Sequence, residues 1–418
     1  MQPHLLLMEL RLENLKAISI LGRGAKGVVF SVHVSTHEQP FALKAISLSS
    51  IKKKKSSAGD AAGAQSGETY RRLWFERDVL ATLNHPLLPS LKGFVSTETI
   101  VGFAIERCSG GDLNSLRRRQ TEKMFSDSVI RFYAAELVLA LEYLHSRGIV
   151  YRDLKPENIL IQDNGHIMLV DFDLSTKLPV KSPKPYKLPE TPPPAQVRAN
   201  EQLGQNHRKK KKRKNNFLLR SFSSHTGVSP VTTDEAPNKS PLHKPAAVRS
   251  VGSTDKSNSF VGTEDYVAPE IIQGKGHEFS VDWWGLGVVL YEMLYGRTPF
   301  RGLNRKETFY RVLVKEPELV GEQTPLRDLI RRLLEKDPDK RITCQEIKEH
   351  EFFRGVNWEL VIEMARPPYI PSGSELESNE EDLDVEKTVQ EVFGEEKGKP
   401  EVMNGGDDTV QNTDFSDF

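Results

Sequence analysis

The sequence predicts an α+β chain of two lobes, a small strand-rich one followed by a larger, mainly helical one that carries a long disordered insert. Three observations predict it. Short β-branched and aromatic runs crowd the first part of the chain, while a 3.6-residue apolar period governs 126–148 and 280–295 is apolar nearly all round. From 181 to 257, 16 Lys and Arg stand against 5 Asp and Glu among few large apolar residues, too little apolar surface to offset the entropy of ordering.

Taken in order, Val28-Val29-Phe30-Ser31-Val32 and Phe41-Ala42-Leu43-Lys44-Ala45-Ile46 read as strands flanking polar turns such as Ser35 to Gln39. Lys52 to Lys55 and the Ala/Gly/Ser-rich stretch to Gly67 are expected to form a loop. Tyr70, Leu73, Trp74 and Leu80 then follow a helical pattern, and further strands are expected at Leu91 to Phe94 and Val101 to Ile105. Ser126 is a candidate N-cap for a helix through Ile130, Ala134, Leu137, Val138, Leu141 and Leu144, with Gly148 as its stop. Ser280 to Tyr295 is apolar nearly all round, the mark of a helix buried in the centre of a lobe. Leu326 to Leu334 and Cys344 to His350 read as amphipathic helices, and there is no internal repeat.

The 418 residues, 37% hydrophobic and 28% charged, suffice for two lobes with real cores. A formal net charge of zero conceals a polarised chain: the basic stretch carries +11, whereas 372–418 holds 3 Lys and Arg against 15 Asp and Glu, a net of −12. That acidic tail is expected to be mostly disordered as well. Leu5-Leu6-Leu7 is too short for a secretory signal and lacks a basic flank, and no stretch reaches the ~18 apolar residues of a membrane span. The expected compartment is the cytoplasm, the nucleus or both. Cys108 and Cys344, far apart, offer neither a disulfide framework nor a zinc site and are expected as packed, reduced thiols.

The chemistry gathers in a few motifs. Asp153 sits in Tyr151-Arg152-Asp153-Leu154-Lys155-Pro156-Glu157-Asn158, and eighteen residues on Asp171 opens Asp171-Phe172-Asp173. Together they offer a base and two metal ligands at a spacing that suits phosphoryl transfer, a reaction that asks a protein mainly to position a hydroxyl and to neutralise phosphate oxygens. Gly22-Arg23-Gly24-Ala25-Lys26-Gly27-Val28 is a G-x-G-x-x-G-x-V loop whose missing side chains let backbone N–H groups approach phosphates. Strands on both sides of it and Lys44 at the end of Phe41-Ala42-Leu43-Lys44 supply the context that the loop alone lacks. A helix glutamate is the expected partner of Lys44, and Glu76 is preferred to Glu68.

Jointly these motifs resemble the protein kinase family from Leu15 to Phe353, the basic insert apart. The resemblance implies a protein kinase fold with an N-terminal extension (1–14), a small lobe (15–107), a large lobe (108–353) interrupted by the insert at 178–257, and a C-terminal tail (354–418). It implies that Asp153 accepts the substrate hydroxyl proton, Lys155 steadies the γ-phosphate, and Asn158 and Asp171 bind magnesium; a positioned base contributes ~10²- to 10⁴-fold. ATP is implied to lie along Leu21, Gly22, Arg23, Gly24, Ala25, Lys26, Gly27, Val28 and Val29, with Lys44, Glu76 and Asp112 completing its site. The lysine type at Lys155 favours Ser/Thr over Tyr acceptors. Gly262 to Glu270 resembles the end of an activation segment, which implies substrate positioning by Thr263 and an ion pair of Glu270 with Arg341. Asp282 is implied to hold the catalytic loop's backbone. Ser259 takes the place of the activating phosphosite, with Arg152 as the cation to receive the phosphate.

Within the family the chain resembles the AGC group. Pro367-Pro368-Tyr369-Ile370-Pro371 is similar to that group's tail, and Phe415-Ser416-Asp417-Phe418 to its hydrophobic motif, in which Phe415 and Phe418 dock into an apolar pocket of this chain or of an upstream 3-phosphoinositide-dependent kinase. Asp173 replaces the usual glycine, and with the long insert it marks the plant-specific subgroup. Leu21 to Phe30 and Arg301 to Tyr310 resemble its oxidative-signal-inducible kinases, which implies stress signalling toward protein substrates and downstream kinases. AGC kinases often prefer basic residues before the target Ser/Thr, and Asp112, Glu157 and Glu292 take the matching acidic positions.

His207 to Lys214 reads equally as a nuclear import signal, a contact with anionic lipid at the plasma membrane, or a solvated linker; Phe217-Leu218-Leu219 and Phe222 add apolar groups to the lipid reading. Specific nucleic-acid binding is not expected, because the run lacks interleaved aromatics and a folded reading element. The rival class is a pseudokinase scaffold binding partners through insert and tail; its usual sign is loss of Lys44, Asp153 or Asp171, and all three are present.

Overall fold

The computed structural model describes residues 10–24, 27–35, 37, 39–49, 61–178, 264–276, 278–364, 366–371 and 383–393, with backbone alone for 61–69 and 364. Ala25, Lys26, Ser259, Thr263, Phe415, Phe418 and nearly all of the basic insert lie outside the described residues.

The small lobe is a five-stranded antiparallel sheet in the order β1-β2-β3-β5-β4: β1 (Leu15–Arg23), β2 (Gly27–Val34), β3 (Phe41–Ser47), β4 (Gly93–Ser96) and β5 (Ile100–Glu106). Both faces of the sheet are covered, so Phe41, Ala42, Leu43, Ala45 and Ile46 are all buried along β3 in place of a one-sided alternation. One face meets α1 (Ala61–Leu80) through Ile46, Val101 and Phe103. The other, with Val28, Phe30, Val32 and Leu43, receives Val385 and Val389 from α10 (Val385–Phe393). The expected strand at 91–94 forms two residues later, at Gly93–Ser96.

Two expectations are corrected. The helix begins at Ala61, so the stretch to Gly67 expected as a loop is helical: Ala61, Ala62, Ala64 and Gln65 favour helix enough to carry Gly63 and Gly67. Within the acidic tail, expected to be mostly disordered, Val385–Phe393 is a helix. Val385, Val389 and Phe393 recur at i, i+4 and i+8, and α10 buries the first two against the sheet. Leu383 donates its backbone N–H to Ala17 O at 3.1 Å, and Glu386 accepts from Thr97 Oγ1 at 2.7 Å and from Thr99 Oγ1.

The large lobe is built on helices: α2 (Leu113–Arg118), α3 (Asp127–Ser146), α4 (Pro269–Ile272), α5 (Ser280–Tyr295), α6 (Arg305–Val314), α7 (Pro325–Leu333), α8 (Cys344–Lys348) and α9 (Val361–Met364). Short paired strands β6 (Ile149–Val150) with β9 (Thr176–Lys177), and β7 (Ile159–Ile161) with β8 (Ile167–Leu169), carry the loops that face the small lobe. Ser126 is the N-cap residue of α3, but its side chain makes no capping bond; Gly148 follows the helix at φ 75°. Every residue of α5 from Val281 to Met293 is buried, as its all-round apolarity predicts. The tail also touches this lobe: a Cβ on Gly165, in the β7–β8 turn, would stand 2.3 Å from Tyr369 O and 2.7 Å from Pro367. Among the described residues no helix is long and apolar enough to cross a membrane, and Cys108 and Cys344 are free, half-buried thiols.

Candidate active site

The glycine loop joins β1 to β2, and Gly24 N donates to Gly27 O at 2.9 Å to close it. Gly27 is required by packing, since its Cβ would lie 2.3 Å from Ala45 O in β3. Gly22 faces open space, so backbone there can be approached closely. Opposite Val29 in the β2–β3 register stands Lys44.

Lys44 Nζ lies 2.9 Å from Glu76 Oε1, 3.2 Å from Glu76 Oε2 and 2.8 Å from Asp171 Oδ1. Glu76 is 3% exposed. Burial alone depresses the lysine, but the flanking carboxylates win and hold its pKa well above the ordinary value. Asp171 is pushed up by burial, and the Lys44 ammonium more than reverses this, leaving the carboxyl below its usual range. Asp171 adopts a left-handed φ of 64°, which only a few non-glycine residues do, whereas Asp173 does not enter that region. The position expected to carry glycine in protein kinases generally therefore has no left-handed backbone here.

Asp153, also buried, follows β6. Asn158 Nδ2 donates to its backbone oxygen and to its Oδ2, both at 2.9 Å, and Lys155 Nζ lies 3.1 Å from the same Oδ2. Burial dominates over these partners and raises the Asp153 carboxyl to about 6. The loop is held from below by Asp282, 1% exposed in α5, which accepts from Tyr151 N at 2.9 Å, Arg152 N at 2.7 Å and His145 Nε2 at 2.7 Å. Arg152 has φ 70°, a strained geometry that those bonds to Asp282 maintain. Its Nε donates to Leu174 O at 2.5 Å, tying the loop to the segment after Asp173.

Because Asn158 Nδ2 donates to Asp153, its amide oxygen is the atom that would meet a cation, and the Asp171 carboxylate is 39% exposed. Among the described residues no three or more His, Cys, Asp or Glu side chains gather as a metal cage. One carboxylate and one amide oxygen suit magnesium, which completes its shell with water and phosphate oxygens.

The remaining expected residues fall in two groups. Glu270 and Arg341 form a buried two-bond pair at 2.6 and 2.9 Å. Asp112 is the N-cap of α2, accepting from Ser115 N at 2.8 Å and Ser115 Oγ at 2.6 Å. Glu157 accepts from Asn114 Nδ2 at 2.8 Å, and Glu292, 7% exposed, accepts from Arg117 Nη2 and from the Tyr266 hydroxyl. Sequence reasoning missed Asn114, Arg117, His145 and Tyr266; for Arg117 the signal was an arginine directly after Leu113 and Leu116, the inward positions of α2.

Residues 15–212 and 247–353 match the protein kinase domain family. Serine/threonine-protein kinase OXI1 of Arabidopsis thaliana is 53% identical over 91% of this chain and 85% of its own length. Two further kinases of the same plant are similar: serine/threonine-protein kinase UCN is 42% identical over 98% of this chain and 96% of its length, and serine/threonine-protein kinase AGC1-5 is 39% identical over 88% and 61%. A bilobal fold with these side chains across its cleft, and relatives of this extent, place the chain in one family: it belongs to the plant AGC-group serine/threonine protein kinases.

Proposed function

We propose that this kinase transfers the γ-phosphate of ATP to Ser or Thr of protein substrates with Asp153 as base, and that it acts in stress signalling. The observation that carries the reading is the convergence of Asp153, Lys155, Asn158, Asp171, Lys44 and Glu76 on one cleft, with Lys44 paired to Glu76 and Asp171, Lys155 paired to Asp153, and Asn158 hydrogen-bonded to Asp153. Asp153, buried and hydrogen-bonded by Asn158, keeps a carboxylate oxygen oriented to take the acceptor hydroxyl's proton. Lys155, beside it, supplies a cation where charge gathers on the transferred group. Lys44, fixed by Glu76, offers its ammonium to the α- and β-phosphates. Asn158 and Asp171 would hold magnesium, whose chemistry is to bridge phosphate oxygens and neutralise their charge.

Regulation belongs to the same reading: a phosphate on Ser259 meets Arg152, and Phe415 and Phe418 dock onto an upstream 3-phosphoinositide-dependent kinase. Contact of the basic run with anionic lipid, or nuclear import by it, is its membrane- or compartment-level extension. The similarity to the OXI1 kinase and the resemblance of Leu21 to Phe30 to oxidative-signal-inducible kinases support the signalling role. The test is transfer of radiolabelled phosphate to a basic Ser peptide by the full chain, compared with Asp153→Asn and Lys44→Met. Magnesium-dependent transfer that both substitutions abolish is expected; equal transfer by the Asp153→Asn variant overturns the reading.

A further inference from the structure

The four most exposed large apolar side chains among the described residues all fall within 303–320: Leu303 at 94%, Val320 at 65%, Val314 at 57% and Tyr310 at 55%. Single exposed apolar residues are ordinary on a protein surface, but a cluster of them marks a contact. Three of the four belong to α6 and its entry. Within the helix Thr308 and Val312, four residues apart, are buried. Lys306, Tyr310 and Val314 recur at the same interval on the opposite side and are exposed. Leu303 stands just ahead of the cap residue Asn304.

Leu303 is held in place. Its N–H donates to Glu307 Oε2 at 2.8 Å, Gly302 N donates to Thr308 Oγ1 at 3.0 Å, and Arg311 Nη1 donates to Arg301 O at 2.7 Å. An apolar residue ahead of a helix cap ordinarily packs on the fourth residue of the helix. Here that residue is the buried Thr308, whose hydroxyl Gly302 occupies, and the leucine stays outside. A backbone fixed in this way has little ordering left to lose when the side chain docks.

Charge narrows the occupant. From 297 to 315 there are six Lys and Arg and one acid, Glu307. The arginines are answered from within: Arg311 by Glu307 at 2.6 Å, Arg305 by Glu264 at 3.3 Å and, more loosely, Arg301 by Asp265 at 3.8 Å. Lys306, inside the stripe, has no ion-pair partner among the described residues. Apolar side chains around one unanswered ammonium complement a segment that brings apolar side chains and a carboxylate. A second copy of this chain would bring the same ammonium, which charge opposes. An anionic membrane draws on many free cations, and here most are already paired.

We propose that α6 and its entry are a docking surface for a partner protein, engaged through a segment that lays large apolar side chains over Leu303, Tyr310 and Val314 and sets a carboxylate on Lys306. None of these four side chains belongs to the catalytic cleft, so the surface recruits the partner and leaves the transfer chemistry alone.

The probe is a phage-displayed library of short random peptides selected on the full chain. Sequences that join large apolar residues to Asp or Glu should be enriched, and a synthetic copy of the enriched sequence should bind the chain in solution. Leu303→Asp and Tyr310→Ser should each weaken that binding by roughly tenfold, the scale set by one large apolar side chain leaving water. Lys306→Glu should turn the selected charge toward Lys and Arg. Thermal unfolding and transfer to a short Ser peptide should be unchanged in all three variants; if the apolar ones do not fold, Lys306→Glu, on the exposed side of the helix, decides the matter alone. Enrichment of no sequence that depends on α6 overturns the proposal, and so does a charge preference that survives Lys306→Glu. A photo-crosslinker in place of Tyr310 that captures residues 394–418, or α6 of a second copy, overturns it as well, because the chain then covers this face itself. Binding to phosphatidylserine vesicles that Leu303→Asp abolishes assigns the face to a membrane and overturns it too. Absence of Asp153-dependent transfer would strike the kinase reading instead and leave the peptide result standing.

Discussion

Lys44 Nζ stands 2.8 Å from Asp171 Oδ1 and 2.9 Å from Glu76 Oε1, so one ammonium joins a carboxylate of the large lobe to one of the small lobe. Glu76 is almost fully buried and cannot turn to solvent if that ammonium is lost. Lys44→Met should therefore abolish transfer and also lower the unfolding midpoint, because a buried carboxylate without its cation costs several kcal/mol. Phosphate incorporation and thermal unfolding read the two effects separately; an unchanged midpoint would mean that Glu76 finds another partner.

The Asp153 carboxyl, raised by burial to about 6, gives a pH limb of defined sign. A base works when ionised, so kcat/KM should climb with pH and level off above about 6. Stability runs the opposite way. A carboxyl whose folded pKa exceeds its reference of 3.8 stabilises the fold fully below that reference and loses the contribution as pH rises through about 6. Asp153→Asn should abolish transfer and flatten this part of the stability profile, as equilibrium unfolding at several pH values would reveal.

Asp173→Gly should retain magnesium-dependent activity to within a few-fold, since Asp173 occupies no backbone region reserved for glycine. Complete loss of turnover in a folded variant would refute this.

Glu270→Ala should destabilise the large lobe by ~3–5 kcal/mol, because it strands the fully buried guanidinium of Arg341. Denaturant unfolding measures it, and a loss below about 1 kcal/mol would show the arginine finding other acceptors beyond Ser280 O and Glu335 O.

Val389→Asp places a charge in the apolar layer between α10 and the sheet, where Val389 is fully buried. The tail helix should detach and be cleaved by limited proteolysis much faster than in the parent, with the lobes left folded. Equal cleavage rates would show that Leu383 and the Thr97–Glu386 contact suffice to hold it.

Much of this architecture was legible because local pattern and global burial agree. The Ser280–Tyr295 helix is apolar on every side and is buried on every side, and Asp153, Asn158 and Asp171 sit at fixed spacing because short loops off β6, β7 and β8 carry them. What escaped was of two kinds. The start of α1 was hidden by Gly63 and Gly67, whose local cost the rest of a 20-residue helix absorbs. The partners of Glu292 and Asp112 were hidden because Arg117 and Ser115 are brought to them only once α2 is folded. The helix at 385–393 was masked by its acidic surroundings, although Val385, Val389 and Phe393 mark a stripe.

The tail meets the large lobe at Tyr369 and the small lobe at Leu383, and Leu383 lies twelve positions beyond Pro371. A chain of that length spans at most ~40 Å when fully drawn out. The two lobes are thus joined twice along the chain, by the segment after β5 and again by the sequence between Pro371 and Leu383. Any parting of the lobes that keeps both contacts is bounded by that covalent span.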